Sequence, residues 1–475
     1  MSKKCFLTVQ DEVYCTISGI QPSEHEILWK DFGIFVDGYF FMPAYKLGRF
    51  DGKIRFYQRT GKTYIRLLDK IVPYLDKWGY EIELTDTRPY QKPPEILSHE
   101  GQFGHIELGG KPFMIRPYQV EAINQCVQNG NGFIIAGTGA GKTTITAGLS
   151  DIYGQCGYKV ITIVPSSDLV DQTADWYALL GMDVGIYSGE SKDTDHTHVV
   201  ATWQALQYNP GILSEFQVLI WDEAHGIKAS VAQKLINESG KHISFRFGVT
   251  GTFPKPECDQ MSLHSSIGPI LKEIPAKWLI ENGYLSEVEI EPIELNETYI
   301  DEEFPDYTAE KAFLSKSPAR MEAIANLIVS KCAKHGNTLV LVNSIPFGEK
   351  LASLIKGAVF LYGASPKDLR KEHYEMFDKH DDLIVIASSG IASTGISIDR
   401  VFCLFLVDAG KSFIKTIQSI GRGLRRGRDK SFIHVTDVFS KLKWAKKHFK
   451  ERLVHYKSAS YPVLPTQKVR VKDRT

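Results

Sequence analysis

The chain has 475 residues, 43% hydrophobic and 24% charged, with a formal net charge of zero, which is an ordinary globular composition and long enough for about three domains. Its seven cysteines form no C-x-x-C pair or Cys/His cluster, which favours buried reduced thiols over disulfides or structural zinc. No stretch reaches the roughly 18 apolar residues that cross a bilayer, so a soluble cytoplasmic protein is expected. The charge is uneven, because residues 421–475 contain 16 Lys and Arg against 4 Asp and Glu, which predicts a polyanionic partner.

Residues 1–95 are predicted to form a small α+β accessory module that binds nucleic acid. Short apolar or alternating runs such as GIFVDGYFFM and KIRFY are separated by Gly-containing turns, and the region ends at the prolines of KPPE. Within it, residues 46–66 hold seven basic residues and one acid. Phosphate contacts dominate nucleic-acid affinity, so this basic stretch is a candidate grip on DNA.

The basic stretch also contains aromatic residues that could stack on exposed bases or wedge at a junction. Its alternating pattern predicts a β-hairpin that turns at Thr60–Gly61. The other interpretation is an ordinary hairpin whose cations face water while its aromatic residues form a core. The aromatic residues are Phe50, Phe56, Tyr57 and Tyr64. The candidate phosphate contacts are Arg49, Lys53, Arg55, Arg59 and Lys62.

Residues 96–285 are predicted to form a parallel sheet covered by helices on both faces. Short β-rich runs alternate with helical patterns, as in β-α units. The runs are GFIIA (132–136), KVITIVP (159–165), THVVAT (197–202), QVLIWDE (217–223) and FRFGVTGT (245–252).

The strongest local signal is AGTGAGKT, which follows GFIIA and opens an apparent helix. Its glycines allow backbone N–H groups to face phosphate oxygens, Lys142 would neutralise those oxygens, and the Thr143 hydroxyl would bind Mg²⁺. A chance Gly-rich turn is disfavoured by the strand and helix around it, although a kinase or transporter ATPase would share the loop. The candidate nucleotide-binding residues are Gly137, Thr138, Gly139, Ala140, Gly141, Lys142, Thr143 and Thr144.

The motif WDEAH ends the apolar run QVLI about eighty residues after the phosphate loop. Asp222 could hold Mg²⁺, Glu223 could polarise the attacking water, and His225 could relay the nucleotide state. A D-E pair after a strand is more often a solvated loop or a helix cap when it stands alone. Its place in the same block as the phosphate loop favours catalysis, with ATP and Mg²⁺ as cofactors.

The acidic, proline-containing stretch at 287–306 is interpreted as a solvated connector, within a linker at residues 286–310. Residues 311–440 resume the alternation of apolar runs and helical patterns and predict a second α/β domain without its own phosphate loop. Residues 441–475 are predicted to form a basic C-terminal helix and tail. The helix positions most suited to phosphate contact are Lys443, Lys446, Lys447 and Lys450.

The second α/β block contains QSIGRGLRR, which begins at Gln418. Arg422 and Arg425 are three residues apart on one helical face and could act as arginine fingers that stabilise charge on a γ-phosphate. Surface solvation and nucleic-acid contact remain equally open for this cluster considered alone.

The ordered series of motifs resembles that of the superfamily-two helicases. The segments are RPYQ (116–119), AGTGAGKT (136–143), IVPSSDLVDQ (163–172), TWQAL (202–206), DEAH (222–225), VTGT (249–252), LVLVNSI (339–345), ASTGISI (392–398) and QSIGRGLRR (418–426). More narrowly, the short basic N-terminal module and the sequence motifs GISI and QSIGRGLRR are similar to those of the UvsW-type branched-DNA helicases of T4-like bacteriophages. The resemblance implies two tandem RecA-like parallel-sheet domains preceded by the accessory module.

The resemblance also implies roles for individual residues. Gln119, with Arg116 nearby, would read adenine, and Thr250 and Thr252 would couple hydrolysis to domain movement. Gln418 joins the two arginines in the catalytic set. The residues implied to touch the nucleic-acid backbone are Pro165, Ser166, Gln172, Thr202, Gln204, Thr394 and Gly395.

The function implied is that of an ATP-dependent DNA helicase or translocase that unwinds or branch-migrates forked and junction DNA. Lys142 and Glu223 would flank the γ-phosphate on one side and Arg422 and Arg425 on the other. The expected partners are branched DNA and single-stranded-DNA-binding or recombination proteins, and the expected state is a monomer in the host cytoplasm. Two alternatives stay open: an RNA helicase or remodeller, and a non-catalytic ATP-dependent clamp.

Overall fold

A computed structural model describes residues 3–108, 110–137, 139–228, 230–298, 303–377, 379–388, 400–409, 432–458 and 461–472. The chain divides into two compact units, residues 1–136 with 141–274, and residues 137–140 with 275–475. No helix among the described residues is long and apolar enough to cross a membrane.

The first unit begins with the predicted α+β module. Its strands and helices are β1 (Lys3–Val9), β2 (Tyr14–Ser18), α1 (Pro22–Asp31), β3 (Gly33–Phe35), α2 (Pro43–Lys46), β4 (Lys53–Arg55), β5 (Lys62–Tyr64), α3 (Leu68–Lys77) and β6 (Tyr80–Asp86), with 3₁₀ turns at Tyr39–Phe41 and Ile65–Leu67. The sheet order is β5-β2-β1-β6, in which β1 lies antiparallel to β2 and parallel to β6. Strand β1 buries Cys5, Leu7 and Val9 in the module core, as the two-residue period of a strand requires.

The predicted hairpin turns at the expected place, but its ladder ends at the bridge between Tyr57 and Thr63. The Gly61 N–H donates to the carbonyl of Gln58 at 2.8 Å, and Tyr57 bridges Thr63. Strand β4 pairs instead with β3, and β5 pairs with β2. The reason is that consecutive Phe56 and Tyr57 are both buried, which breaks the alternation of a simple hairpin. The core interpretation is therefore correct for these two rings, and base stacking by them is wrong.

The module is fixed to the following α/β domain through a polar seam around Glu12. The Glu12 carboxylate accepts hydrogen bonds from Ser244 Oγ at 3.1 Å and from Arg88 Nη1 at 2.5 Å. Arg66, the last cation of the basic stretch, donates to the Glu12 carbonyl at 2.6 Å, while its own carbonyl lies 2.8 Å from His264 Nε2. Burial lowers the pKa of Arg66 to about 10. Arg66 therefore serves the internal seam.

The rest of the first unit is a seven-stranded, all-parallel sheet in the order β11-β12-β10-β13-β14-β9-β15. Its elements are β7 (Glu107–Leu108), β8 (Lys111–Pro112), α4 (Pro117–Asn129), β9 (Asn131–Ala136), α5 (Lys142–Gln155), β10 (Val160–Val164), α6 (Ser167–Leu179), β11 (Val184–Tyr187), β12 (His198–Thr202), α7 (Trp203–Leu206), β13 (Val218–Asp222), α8 (Ser230–Lys234), β14 (Phe245–Thr250), α9 (Glu257–Ser266) and β15 (Ile270–Ile274), with 3₁₀ turns at Pro210–Glu215 and Ala224–Lys228 and a π turn at Leu235–Ser239. Strands β10 and β13 are buried at every residue, as expected of a parallel sheet covered on both faces.

The second unit contains another seven-stranded, all-parallel sheet, in the order β18-β19-β17-β20-β21-β16-β22. Its elements are α10 (Ala276–Glu281), β16 (Glu287–Glu297), α11 (Tyr307–Leu314), α12 (Pro318–His335), β17 (Thr338–Val342), α13 (Ile345–Ser353), β18 (Val359–Leu361), α14 (Lys367–Met376), β19 (Ile384–Ser388), β20 (Cys403–Val407), β21 (Phe432–Ser440), α15 (Lys443–Ser458) and β22 (Gln467–Val471). The two parallel sheets and the mixed-sheet module confirm the predicted fold class.

The interpretation of 287–306 as a solvated connector is wrong for its first half. Strand β16 occupies this stretch and pairs on both sides, with β21 and with β22. Its acidic side chains have buried partners: Glu291 forms an ion pair with Lys331, and Glu297 lies 3.1 Å from Arg320 Nε. The acidity reflects internal ion pairs, whose partners come from a helix distant in sequence.

The predicted C-terminal helix is present as α15, and it packs on the second sheet. Arg452 donates two hydrogen bonds to the buried Asp437 carboxylate, at 2.9 and 2.8 Å. The carboxylate of Glu310 accepts from the backbone N–H groups of Trp444 and Ala445 at the start of the helix. The chain after α15 returns to the sheet as β22, so this region completes the second unit. The proposed domain boundaries themselves stay predictions.

Substituting Gly61 by Ala is expected to destabilise the module. Gly61 has φ of +86°, and an added Cβ would lie 1.9 Å from the Ile17 carbonyl oxygen, whereas Gly79, with φ of +79°, has nothing within 4 Å. The left-handed backbone costs an alanine about 1–2 kcal/mol at either position, and overpacking adds roughly 1–3 kcal/mol at Gly61 alone. Hydrogen exchange of the β2 and β5 amides in the intact chain should therefore accelerate more in Gly61→Ala than in Gly79→Ala. Equal protection in the two variants would contradict the steric argument.

Candidate nucleotide site and nucleic-acid interface

Three neighbouring strands of the first parallel sheet end beside one another. In the order β13-β14-β9, they end at Asp222, Thr250 and Ala136, and the glycine-rich loop follows the last of these. The carboxyl ends of parallel strands share one edge of the sheet, which is where open α/β sheets bind ligands. The sheet topology therefore brings the predicted catalytic segments to one edge.

The glycine-rich loop uses backbone conformations that favour glycine. Gly139 and Gly141 have φ of +84° and +75°. A Cβ on Gly141 would lie 2.3 Å from Gln119 Nε2, so a side chain at this position would have to displace the end of the Gln119 side chain. Helix α5 begins at Lys142, and the Thr144 N–H donates to the Gly141 carbonyl at 2.9 Å. The N-terminus of α5 thus offers backbone donors and a positive helix dipole end, which suit an anion.

Gln119 is buried next to this loop at the start of helix α4. Its Oε1 accepts a hydrogen bond from the Arg116 N–H at 3.0 Å and so caps the helix. Arg116 itself donates to the Tyr118 hydroxyl at 3.1 Å. The structure therefore supports a local role for Gln119 in holding α4 against the loop, and adenine recognition stays a prediction.

Lys142 and Glu223 form the central ion pair of the site. Lys142 Nζ lies 3.2 Å from Glu223 Oε1, and both side chains are largely buried. Glu223 has φ of +52°, an unusual conformation for a non-glycine residue, and its N–H donates to Asp222 Oδ1 at 2.9 Å. Strained backbone of this kind is concentrated at functional sites.

The two adjacent carboxyls have opposite pKa shifts. Burial, reinforced by the charge of Glu223, raises the pKa of Asp222. Burial acts in the same direction on Glu223, but the positive charge of Lys142 and the hydrogen bonds from His225 and Lys142 outweigh it and hold the pKa of Glu223 below its ordinary value. Glu223 is thus the carboxylate that stays ionised. Asp222 is the carboxyl whose ionisation a nearby cation would favour most.

His225 connects Glu223 to the end of the neighbouring strand. Its Nδ1 lies 3.3 Å from Glu223 Oε2 and 3.0 Å from Thr250 Oγ1. The Thr250 hydroxyl donates to the Thr252 carbonyl at 2.9 Å. A continuous polar chain therefore joins the ion pair to the segment that leads into helix α9.

The side chains at this edge fit a magnesium-bound phosphate chain. Gly141 has φ of +75° and presents no side chain at the start of α5, the Lys142 ammonium and the α5 N-terminus suit phosphate oxygens, and the Thr143 hydroxyl and Asp222 carboxylate are the hard oxygen ligands that Mg²⁺ prefers. One or two protein oxygens suffice for Mg²⁺ when phosphates complete its shell.

The predicted backbone contacts of the first sheet lie at the same edge, after β10 and β12. Gln204 Nε2 donates to the Pro165 carbonyl at 3.1 Å, and the Thr202 hydroxyl accepts from the Ala205 N–H at 3.3 Å. Within the described residues, Ser166 Oγ and Gln204 Oε1 are buried without a hydrogen-bond partner. Unsatisfied buried polar atoms are rare in proteins, and here they suit a polar ligand. Gln172 is exposed on α6.

The basic stretch of the module holds several of its cations over aromatic rings. The Arg55 and Arg59 guanidinium carbons lie 4.1 and 3.6 Å from the Trp29 ring centre, and Arg59 also pairs with Glu26. Lys53 lies over the Phe35 ring and Lys62 over the Tyr14 ring, at 4.5 and 4.0 Å, while Arg49 is exposed. The stretch is therefore an ordered cationic surface, and its contact with nucleic acid stays a prediction.

Two strongly exposed aromatic residues of the module were missed in the sequence. Phe40 and Phe41 are 52% and 71% exposed, on a 3₁₀ turn between Gly38 and Pro43. The run GIFVDGYFFM was interpreted as one apolar segment. The Gly and Pro that bracket YFFM were the available sign of a turn, because each interrupts a strand.

Several predicted site residues lie outside the described residues. They are Thr138 of the phosphate loop, Thr394 and Gly395 of ASTGISI, and Gln418, Arg422 and Arg425 of QSIGRGLRR.

Comparison with known protein families gives three successive matches. The family "DNA helicase UvsW, N-terminal" matches residues 19–85, the family "Type III restriction enzyme, res subunit" matches residues 112–255, and the family "Helicase conserved C-terminal domain" matches residues 319–427. The matches follow the module, the first parallel sheet and the second parallel sheet in order.

Two viral proteins are similar over most of the chain. The ATP-dependent DNA helicase uvsW of Enterobacteria phage T4 is 28% identical over 441 residues, which cover 87% of this chain and 86% of that protein. Putative helicase 22 of Sulfolobus islandicus filamentous virus is 24% identical and covers 79% of this chain and 78% of its own length.

Among solved structures, the fragment of a putative HsdR subunit of a type I restriction enzyme from Vibrio vulnificus aligns with a TM-score of 0.57 at 15% identity, over 96% of this chain and 85% of that one. That likeness supports the fold alone. The ordered family matches, and the phage relative that aligns over most of both lengths, show that the chain is a homologue of the UvsW DNA helicase.

Proposed function

We propose that the chain is an ATP-hydrolysing DNA helicase or translocase of the DEAH type, acting on forked and junction DNA in recombination, repair or replication restart. The observation that carries the proposal is the buried pair of Lys142 and Glu223, 3.2 Å apart at the carboxyl edge of the first parallel sheet. The DNA helicase uvsW of phage T4, similar over most of the chain, favours DNA as the substrate.

Each residue of the edge has a separate task in this proposal. ATP supplies the phosphoanhydride whose hydrolysis drives the motor. Lys142 would bind phosphate oxygens, and Thr143 and Asp222 would hold Mg²⁺. Glu223, kept anionic by its depressed pKa, would orient and polarise the attacking water. Gln418, Arg422 and Arg425 keep the catalytic roles that the motif series implies.

The polar chain through His225 offers a route for coupling. Thr250 follows His225 in that chain and precedes the segment that enters α9, and α9 packs against β3 and the Ile65–Leu67 turn of the module. Cys258 of α9 lies in the module core, and the partly buried Met261 packs against that core. A change at Glu223 can thus be transmitted through packed elements to the module.

DNA would contact the first sheet through Ser166 and Gln204, whose buried oxygens lack partners among the described residues, and the module through its cations. Backbone contacts of this kind carry no sequence preference, which suits a motor. The similarity to a phage protein favours the cytoplasm of a bacterial host. A monomeric state and recombination or single-stranded-DNA-binding partners remain predictions.

The substrate assignment predicts that forked or four-way DNA stimulates ATP hydrolysis most. The assay compares no nucleic acid, single-stranded DNA, linear duplex, branched DNA and structured RNA at one fixed salt concentration, because phosphate contacts are salt-dependent. Stimulation by RNA alone would indicate an RNA helicase or remodeller. No hydrolysis with any nucleic acid would indicate a non-catalytic clamp.

Replacing either member of the ion pair is expected to abolish turnover. Lys142→Ala should lose both nucleotide affinity and hydrolysis, whereas Glu223→Gln should keep nucleotide binding and lose hydrolysis by roughly 100-fold or more, since the base and not the phosphate contact is removed. Steady-state hydrolysis and fluorescent-nucleotide titration measure the two effects. Lys159→Ala, which breaks an ion pair with Glu215 at the opposite edge of the sheet, is the control. Substantial hydrolysis in Lys142→Ala or Glu223→Gln would refute the assignment.

Removing the Thr250 hydroxyl is expected to uncouple hydrolysis from unwinding. Thr250→Val keeps the shape of the side chain but loses the contact with His225 Nδ1 at 3.0 Å, which is worth about 1 kcal/mol. We expect the ratio of strand separation to ATP hydrolysis to fall about fivefold to tenfold. Thr250→Ser keeps the hydroxyl and should retain coupling. An unchanged ratio in the Val variant would show that the polar chain has no coupling role.

A further inference from the structure

The module carries an exposed apolar surface that the ATP site does not explain. It lies on residues 35–54, here called the aromatic lobe, which comprise the end of β3, a 3₁₀ turn, α2 and part of β4. Its exposed apolar side chains are Phe35 (49%), Phe40 (52%), Phe41 (71%), Met42 (39%), Tyr45 (38%), Leu47 (65%) and Ile54 (42%). So many exposed apolar side chains on one short segment are typical of an interaction site.

The aromatic lobe is ordered, because the Tyr39 ring packs against its other residues. The Tyr39 ring stacks on Phe35 with centres 4.7 Å apart and meets Tyr45 edge to face at 4.8 Å. A Cβ on Gly52 would lie 2.5 Å from the Tyr39 ring, so the opposite strand closes tightly over it. Phe40 and Phe41, with ring centres 4.3 Å apart, project from this anchored turn.

The charges of the lobe select the chemistry of its partner. Lys46, Arg49 and Lys53 lie among the apolar side chains, while the acid Asp51 pairs with Arg55. Flat apolar rings bordered by cations complement a polyanion with exposed π faces, which describes unpaired nucleic-acid bases. A second copy of the same surface would bring cations against cations, and a purely apolar partner would leave the cations unpaired.

The module is attached firmly to the first parallel-sheet domain, and this determines the effect that contact between the lobe and DNA bases would have. The seam around Glu12 and the packing of Cys258 in the module core fix the module to the first parallel-sheet domain. A surface fixed to the motor domain keeps its position while the motor moves along DNA, so stacked bases at a branch would be held apart from their partners.

We propose that Phe40 and Phe41 stack on unpaired bases at the branch point of DNA, and that Lys46 and Arg49 contact the adjoining phosphates. This proposal rests on the proposed function and gives the module a specific task, recognition of the branch. The role of base stacking, first considered for Phe56 and Tyr57, is thus assigned to the exposed rings of the lobe, because Phe56 and Tyr57 are buried.

The test uses the full chain and a DNA fork with 2-aminopurine at the first unpaired position. Phe40→Ala/Phe41→Ala should remove the fluorescence change on binding and slow fork unwinding about tenfold or more, as expected for the loss of stacking contacts. ATP hydrolysis measured without nucleic acid should remain unchanged. Tyr90→Ala, which removes an aromatic side chain that is 83% exposed elsewhere, is the control and should behave as the wild type.

A second pair of variants separates stacking from general hydrophobic contact. Phe40→Leu/Phe41→Leu keeps apolar volume without a ring and should lose the fork effects, whereas Phe40→Tyr/Phe41→Tyr should keep them. Normal fork unwinding in the Ala or Leu variants overturns the proposal. It is equally overturned if sedimentation or vesicle binding shows that the lobe mediates self-association or lipid contact while the fork reactions are unaffected.

Failure of the inference and failure of the proposed function give different results. Fork binding in Lys142→Ala, measured by 2-aminopurine without ATP, tests the lobe even if no variant hydrolyses ATP. If the protein unwinds forks equally well without Phe40 and Phe41, only the inference about the lobe is wrong. If the wild type hydrolyses no ATP, the proposed function is wrong. The 2-aminopurine fluorescence change on fork binding then still tests the role of the lobe.

Discussion

The parallel alignment of the first seven-stranded sheet is the constraint on which the site depends. Asp222, Thr250 and Ala136 are far apart in sequence, and they meet because β13, β14 and β9 run in the same direction as neighbours. The same alignment places Pro165 and Thr202, at the ends of β10 and β12, on that edge. The strand order alone thus places the candidate nucleotide-binding residues and the candidate nucleic-acid contacts along one edge of the sheet.

At this edge, one buried ion pair sets the properties of the neighbouring groups. Removing charges from water is costly, and the Lys142 and Glu223 charges offset that cost for each other. Lys142 also keeps Glu223 anionic, and the anionic Glu223 then disfavours ionisation of Asp222. Two adjacent carboxyls with divergent pKa values can divide the roles of base and metal ligand, a pattern found at many catalytic sites.

The predictions from sequence succeeded where the chemistry is local and failed where it depends on distant partners. A phosphate loop needs glycines, Lys142 and a following helix within a few residues, so its pattern is visible in the chain. The acidity of β16 was misleading, because Glu291 and Glu297 are paired with side chains of α12 that no local pattern identifies. Likewise, alternation alone could not decide whether Phe56 faces solvent, since its burial depends on β2 and β3 on either side of it.

Backbone strain marks the corresponding edge of the second sheet as well. Among the described residues, the non-glycine residues with positive φ are Glu223 and Asp408, and each follows or ends a central strand of its own sheet. Asp408 is held by Arg320 Nη2 at 2.7 Å, and Arg320 is fully buried with Glu297 as its second partner. Such strain persists only when the surroundings over-determine it, and here a buried ion-pair network does so. Arg320 therefore links the acidic strand β16, which appeared to be a connector, to the residue immediately after β20, from which the sequence continues towards the arginine cluster.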